Sequence, residues 1–226
     1  MKGKVFFVSG IDTNCGKTMV TGAIARELKK LGKKVMTMKL VQTGCKDISE
    51  DILVHRKLMG EELNEFDKNG TSCPYVFELP ASPHLAAANE GRIISNEVLR
   101  ESINDLSEQY EIVLLEGAGG LMVPIRENYY MVDFARDNNL PIILISSSRL
   151  GSINHSLLSY NKIKEDSCDL AAGFYNVFDA EHYKIINDSE QIIWEYQLRL
   201  FPDSYFSRVS LKDLSSKLEL DFTIFV

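Results

Sequence analysis

The sequence predicts an α/β fold, a doubly wound, mostly parallel sheet flanked by helices, and three observations carry that prediction. The run Ile112-Val113-Leu114-Leu115 is apolar at four consecutive positions, which fits a strand covered on both faces. Strand-like runs alternate along the chain with amphipathic stretches, the pattern of parallel strands joined by helical crossovers. The first run, Val5-Phe6-Phe7-Val8, enters a glycine-bounded loop, Gly10-Ile11-Asp12-Thr13-Asn14-Cys15-Gly16-Lys17-Thr18, and leaves it into a helical pattern with Val20, Ile24, Leu28 and Leu31 three or four apart.

A loop at such a strand-to-helix turn binds phosphate, so the sheet is of the P-loop NTPase type. Gly10 and Gly16 let the backbone fold tightly and bring N–H groups toward phosphate oxygens, and the helix starting near Lys17 adds its positive end. Lys17 supplies a charge for the β- and γ-phosphates of a nucleoside triphosphate, and the Thr18 hydroxyl is placed for Mg²⁺. The loop is one residue longer than the standard pattern, with Ile11 where the shorter version carries its first glycine. Cys15 is either a redox-sensitive thiol beside Lys17 or a small residue tolerated among glycines.

The following elements alternate in order. Lys33-Lys34 marks a turn and Val35 to Val41 reads as a strand, ending on Lys39, Gln42 and Thr43 before Gly44. Lys39 is a solvated charge or a ligand group; the carboxyl ends of strands are where ligands bind in open α/β sheets. Ser49 to Met59 reads as a helix with Glu50 and Asp51 in its first turn, where acids complement the dipole or, for Asp51, ligate a metal. Residues 60–74 are polar and read as loop, followed by strand Tyr75 to Leu79, the turn Pro80 to Pro83, and a short Ala-rich helix from His84 to Asn89. His84 is a capping or packing residue or an acid–base group. Ser95 to Tyr110 is amphipathic through Val98, Leu99, Ile103 and Leu106, and it delivers the chain to Ile112-Val113-Leu114-Leu115-Glu116-Gly117-Ala118-Gly119-Gly120. An acid such as Glu116 at that strand end, beside a phosphate loop, is an oxygen ligand for Mg²⁺, and the glycines let a ligand approach the backbone. Tyr129 to Asp137 reads as a helix, Pro141 to Ile145 as a strand, and a helix runs to about Lys164 with Ser152 or Asn154 as its cap, able to hold a carboxylate. Leu170 to Val177 is the next strand, Glu181 to Tyr196 a helix, and beyond Leu198 only Leu211 to Leu220 reads as a further helix.

With 226 residues, 45% of them hydrophobic and no long polar tract, the chain suits a single domain over 1–226, with a divergent part from about 198. A net charge of −7 without a basic block argues against nucleic acid or an anionic membrane as partner and favours small-molecule chemistry. No apolar run approaches the roughly 20 residues that span a bilayer and no secretory leader is recognisable, so a cytoplasmic protein is expected. Cys15, Cys45, Cys73 and Cys168 are scattered without a CxxC pair, which predicts reduced thiols.

Five segments in order resemble the dethiobiotin synthetase family: Gly10 to Thr18, Lys39-Leu40-Val41-Gln42-Thr43-Gly44, Pro80-Ala81-Ser82-Pro83-His84, Glu116-Gly117-Ala118-Gly119-Gly120, and Leu150-Gly151-Ser152-Ile153-Asn154-His155. The resemblance implies an ATP-dependent cyclo-ligase that takes 7,8-diaminononanoate and CO₂ (bicarbonate) to dethiobiotin, ADP and phosphate, with ATP as co-substrate and Mg²⁺ as cofactor. It implies that Lys17 and Lys39 neutralise charge in the transfer, and that Thr13 and Thr43 orient phosphate and carbamate. Thr18, Asp51 and Glu116 would hold the metal, and Asp12 to Thr18 with Glu116, Gly119 and Asn176 would bind nucleotide. It also implies a homodimer with the site at the interface, where Gly151, Ser152, Ile153 and Asn154 of one chain receive the substrate carboxylate of the other.

The chain departs from the pattern at Ile11, Leu40 and Arg149, and no segment around Pro202 matches the family's base-contacting part. The family's adenine-reading asparagine falls four residues after the glycine near 173, a place held here by Val177 with Asn176 before it. Strand periodicity then predicts an Asn176 side chain turned away from the base, and a site that discriminates poorly among ATP, GTP and CTP. Two other readings share the plan. A cobyrinate-type amide ligase would carry a further glutamine-hydrolysing domain, for which no room remains, and a partition or septum-positioning ATPase would carry a lysine where Asp12 stands.

Overall fold

The computed structural model describes residues 2–177, 182–210, 218 and 222–225. Its elements run β1 (Lys4–Gly10), α1 (Lys17–Lys30), β2 (Val35–Lys39), β3 (Gln42–Thr43), α2 (Glu50–Met59), α3 (Glu65–Lys68), β4 (Val76–Phe77), α4 (Pro83–Asn89) and α5 (Asn96–Gln109). They continue through β5 (Ile112–Gly120), β6 (Pro124–Arg126), β7 (Tyr129–Tyr130), α6 (Met131–Asp137), β8 (Ile142–Ser147), α7 (Ser152–Glu165), β9 (Leu170–Asn176), α8 (Tyr183–Leu200), β10 (Tyr205–Val209) and a 3₁₀ turn, Phe222–Phe225.

Six strands form one sheet in the order β10-β9-β8-β1-β5-β2, and every pairing in it is parallel. Alternate side chains of each strand enter one of two apolar layers. Phe6, Val8, Leu114, Ile143, Ile145 and Phe174 pack with Val20, Ile24 and Leu28 of α1. Phe7, Val113, Leu115, Leu144 and Tyr175 pack with residues of α5, α6, α7 and α8, among them Leu106, Phe134, Ile163 and Ile193. Burial on both faces is why these strands read as continuous apolar runs. No helix of the described residues is long and apolar enough to cross a membrane.

The elements absent from the sequence reading are the short ones. Within 60–74, α3 is closed by a capping box: Asn64 Oδ1 accepts from the Asp67 N–H at 3.2 Å and Asp67 Oδ2 accepts from the Asn64 N–H at 3.0 Å. Four residues are too few for a helical period to show. Tyr129 and Tyr130, expected as the start of a helix, instead close an antiparallel hairpin with Pro124 and Arg126, and α6 starts at Met131. The part beyond Leu198, where no strand was expected, supplies the edge strand β10 in register with β9 from Tyr205↔Ala172 to Val209↔Asn176. The expected helix from Leu211 to Leu220 lies outside the described residues except Leu218, and Glu181, the expected start of the helix that runs Tyr183–Leu200, lies outside them too.

Candidate active site

The loop between β1 and α1 is shaped by its backbone. Asn14 and Gly16 both adopt positive φ, 59° and 100°, and a Cβ on Gly16 would lie 2.2 Å from the Asn176 amide nitrogen, so only glycine fits there. Gly16 caps α1 without any side-chain hydrogen bond, and the first turn of α1 holds no acid. The N–H groups at that end are thus left for a ligand, with the positive pole of the helix behind them. Lys17 is buried and its Nζ donates to the Asp12 carbonyl at 2.9 Å, arching back over the loop. Cys15 is wholly buried, as are Cys45, Cys73 and Cys168 to within a few percent, and all four are free thiols.

Sheet order then brings distant residues to this loop. β5 lies between β1 and β2, with Glu116 opposite Val8 on one side and Lys39 on the other. Glu116 is fully buried. Its Oε1 accepts from Lys39 Nζ at 2.9 Å and from Thr18 Oγ1 at 3.1 Å. Asp51, in the first turn of α2 just after the Ser49 cap, closes the cluster: its Oδ1 accepts from Thr18 Oγ1 at 2.9 Å and its Oδ2 pairs with Lys39 Nζ at 2.5 Å. Lys39 also donates to the Gly117 carbonyl at 3.0 Å.

Electrostatics lock these charges in place. Burial works against the Lys39 ammonium, but Glu116 and Asp51 beside it outweigh that cost and raise its pKa above the ordinary lysine value. Burial would raise Glu116 as well, yet Lys39 and the hydrogen bond from His55 hold its carboxyl well below the usual range. Lys39 and Glu116 are therefore both ionised at neutral pH.

A cavity of about 720 Å³ opens over the cluster. Thr13, Asn14, Gly16, Lys17, Thr18, Lys39, Thr43, Asp51, Glu116 and Gly119 all line it, so most of the residues singled out in the sequence meet on one wall. Met19, Val41, Gln42, Ala118, Val123 and the segment from Pro80 to Pro83 line the rest, so the cavity joins charged groups to a largely apolar set.

Some of the singled-out residues lie elsewhere. Asp12 and Cys15 do not line the cavity; Asp12 shapes the loop by accepting the Thr13 N–H on Oδ1 at 2.7 Å. His84 is exposed on α4 and also outside it. Gly151, Ser152, Ile153 and Asn154 do not reach the cavity of their own chain. The cap of α7 is neither Ser152 nor Asn154 but Gly151, at φ 90° with no side-chain hydrogen bond; the Ser152 hydroxyl is buried against that of Ser147 at 2.8 Å.

The expected orientation of Asn176 is also corrected. Asn176 shares the α1 face of β9 with Phe174, and Val177 packs into the opposite layer, so the amide lies against the phosphate loop. Its Nδ2 donates to the Cys15 carbonyl at 3.1 Å, while Oδ1 is buried and unpartnered. The Gly173 from which the position was counted serves a different purpose, since a Cβ there would lie 1.9 Å from Gln197 Oε1. Sequence reasoning missed one member of the cluster, His55, whose Nε2 lies 3.0 Å from Glu116 Oε2. Its signal was available: His55 follows Asp51 by four on α2 and shares its face.

A glycine-bounded loop feeding an uncapped helix, with a buried lysine at the end of β2 and carboxylates from within β5 and from the first turn of α2 beside it, defines a nucleotide-binding protein of the P-loop class. A family model described as an AAA domain matches residues 4–196. The chain is 51% identical over 174 residues to the ATP-dependent dethiobiotin synthetase BioD 2 of Haemophilus influenzae, covering 77% of this chain and 91% of the relative. It is 43% identical over 208 residues to the protein of that name from Pasteurella multocida, covering 92% and 98%. This chain belongs to the ATP-dependent dethiobiotin synthetase family. Among solved structures, chloroplast FtsY from Physcomitrella patens is similar with a TM-score of 0.54 at 15% identity, covering all of this chain, which spans 64% of that one. The MinD cell division protein of Aquifex aeolicus follows at 0.52 and 17%, covering 92% and 82%. At those identities the likeness is one of fold.

Proposed function

We propose that this protein joins 7,8-diaminononanoate and CO₂ to give dethiobiotin at the expense of ATP, releasing ADP and phosphate. The observation that carries the reading is Lys39, buried between Glu116 and Asp51 at the edge of the cavity that also holds the phosphate loop and Thr43. One substrate amine adds to CO₂ and loses a proton to form a carbamate. A carbamate oxygen then attacks the γ-phosphorus and the bond to the β-phosphate bridging oxygen breaks, giving ADP and a carbamic–phosphoric anhydride. The second amine attacks the anhydride carbonyl, phosphate leaves, and the ureido ring closes.

Two anions must meet in the transfer step, so cationic groups aimed at the transferring phosphoryl group contribute most of the catalysis. Lys17 and Lys39, both lining the cavity, fill that role. Thr13 and Thr43, both on the cavity wall, orient phosphate and carbamate. The Thr18 hydroxyl and the Asp51 and Glu116 carboxylates are hard oxygen donors that already converge within 3.1 Å, a set that suits Mg²⁺. When bound, Mg²⁺ would neutralise charge on the β- and γ-phosphates. The family resemblance implies that Gly151 to Asn154 serve the site of a second copy in a homodimer, and their place outside their own chain's cavity, at a helix start with no side-chain cap, supports that reading. Pro80, Ala81 and Pro83 in the cavity lining suit the alkyl chain of the substrate.

Phosphate release is the test. Protein, Mg-ATP and bicarbonate should release phosphate only when 7,8-diaminononanoate is added, with dethiobiotin formed in equal amount. A steady ATPase that ignores the diamine and responds to DNA or lipid would overturn the reading in favour of a nucleotide switch.

A further inference from the structure

His55 is the one imidazole of the described residues that is wholly buried, and its ring meets the carboxylate at the centre of the cluster. Glu116 divides its oxygens unequally. Oε1 takes the Lys39 ammonium and the Thr18 hydroxyl, whereas His55 Nε2 is the hydrogen-bond partner of Oε2. The other ring nitrogen, Nδ1, is buried with no partner. A buried N–H is rarely left without an acceptor, and of the two ring nitrogens only Nε2 faces an oxygen, so the proton belongs on Nε2, donated to Oε2.

We propose that His55 is a positioning residue for metal binding, whose Nε2–H anchors Glu116 Oε2 and thereby directs Oε1 at Thr18 and Lys39. The inference rests on the reading of Thr18, Asp51 and Glu116 as metal ligands. Without that anchor the carboxylate plane can rotate about its terminal torsion, which is soft in glutamate, and turn its lone pairs away from Thr18. Helix α2 then does two tasks from one face: Asp51 supplies a ligand, and His55, four residues on, sets the orientation of the ligand from β5. A histidine kept only for packing would leave Oε2 buried and unsatisfied on its removal but would not depend on where a replacement placed its N–H.

The test uses the full chain with a non-hydrolysable ATP analogue bound and Mn²⁺ titrated in, followed by electron paramagnetic resonance, beside turnover against free Mg²⁺. His55→Leu should weaken metal binding about 10- to 100-fold, the usual consequence of losing such an outer partner, while His55→Gln, whose amide N–H reaches the position of Nε2, should restore most of it. A folded His55→Leu chain with unchanged Mn²⁺ affinity, or a His55→Gln chain as weak as His55→Leu, overturns the proposal. Should His55→Leu fail to fold by circular dichroism, His55→Gln against His55→Asn decides, because the shorter amide reaches only the place of Nδ1: equal affinities overturn it. Glu116→Gln serves as the reference for the ligand itself. If that variant binds Mn²⁺ like the unaltered protein, the metal reading fails whatever His55 does.

Discussion

Two buried polar clusters hang side by side from β2 and α2, and they differ in whether they are finished. In the first, the Arg56 guanidinium grips Asp67 with two hydrogen bonds of 2.8 Å and donates to the Thr37 hydroxyl at 2.7 Å and the Thr37 carbonyl at 3.2 Å. The Ser72 hydroxyl and the Asn64 N–H complete the Asp67 carboxylate. In the second, starting one residue earlier on α2 and two residues later on β2, His55, Asp51, Lys39 and Glu116 surround Thr18 and open on the cavity. Every nitrogen of the Arg56 guanidinium and both oxygens of the Asp67 carboxylate are partnered within the closed cluster, which can only define a conformation, here the one that ties 60–74 to the sheet. The open cluster retains charge and lone pairs facing a space large enough for a ligand.

The largest effect that would sharpen this contrast comes from the closed side. Asp67→Ala leaves the Arg56 charge buried without a partner and should cost about 3–5 kcal/mol in urea unfolding, with turnover per folded molecule little changed. A cost below about 1 kcal/mol, the size of a surface pair, would show that the cluster is not sealed.

On the open side, Lys39→Ala should lower turnover per folded molecule by about 10²-fold or more while circular dichroism still shows the fold, with a smaller loss of stability than Asp67→Ala because Glu116 and Asp51 line the cavity, where water can replace the ammonium. A variant that retains activity, or one that has lost its fold, would erase the distinction between the two clusters.

Acid titration tests the closed cluster again with a smaller effect. Burial opposes the Asp67 charge, but Arg56, Ser72 and the Asn64 N–H outweigh it and lower its pKa from the ordinary 3.8. Below that value the unfolded chain takes up a proton that the folded chain still refuses, so stability falls with falling pH until the folded pKa is passed. Glu116 contributes with the same sign. Urea midpoints measured between about pH 5 and 2 should therefore decline, and the decline should be shallower in Asp67→Asn, where that site no longer titrates. Parallel declines would assign the acid limb to other carboxylates.

The smallest expected effect concerns the base of the nucleotide. Asn176 Nδ2 is committed to the Cys15 carbonyl and Oδ1 is buried outside the cavity, so neither amide atom is open to a base. Turnover with ATP and GTP should therefore differ by less than the worth of one hydrogen bond, about 1 kcal/mol, in the unaltered protein and in Asn176→Leu alike. A preference for ATP of about a hundredfold or more that is lost in Asn176→Leu would show that the amide does read the base.

Legibility followed the distance along the chain over which each feature is written. The phosphate loop is encoded in nine consecutive residues and a flanking strand and helix, so its position and backbone character were readable from Gly10 to Thr18. Glu116 was readable as an acid directly after four apolar residues, but the strand expected to end there runs on through it to Gly120. Lys39 and Asp51 were ambiguous by themselves, since a strand-end lysine and a first-turn aspartate both have ordinary uses; the family resemblance selected among those uses. α3, the β6–β7 hairpin and β10 were not readable, being short or lacking a period.

The sequence by itself determined which residues could carry charge and where each strand and long helix would form, because hydrophobic periodicity and glycine placement act over a few neighbouring residues. Only the tertiary structure decided which of them meet. Residues 18, 39, 51, 55 and 116 become neighbours because β5 inserts between β1 and β2 and α2 packs against α1 and β2. The face on which Asn176 lies was likewise settled by which layer each side chain of β9 enters, a two-residue period whose phase is set by packing against α1 and not by counting from Gly173.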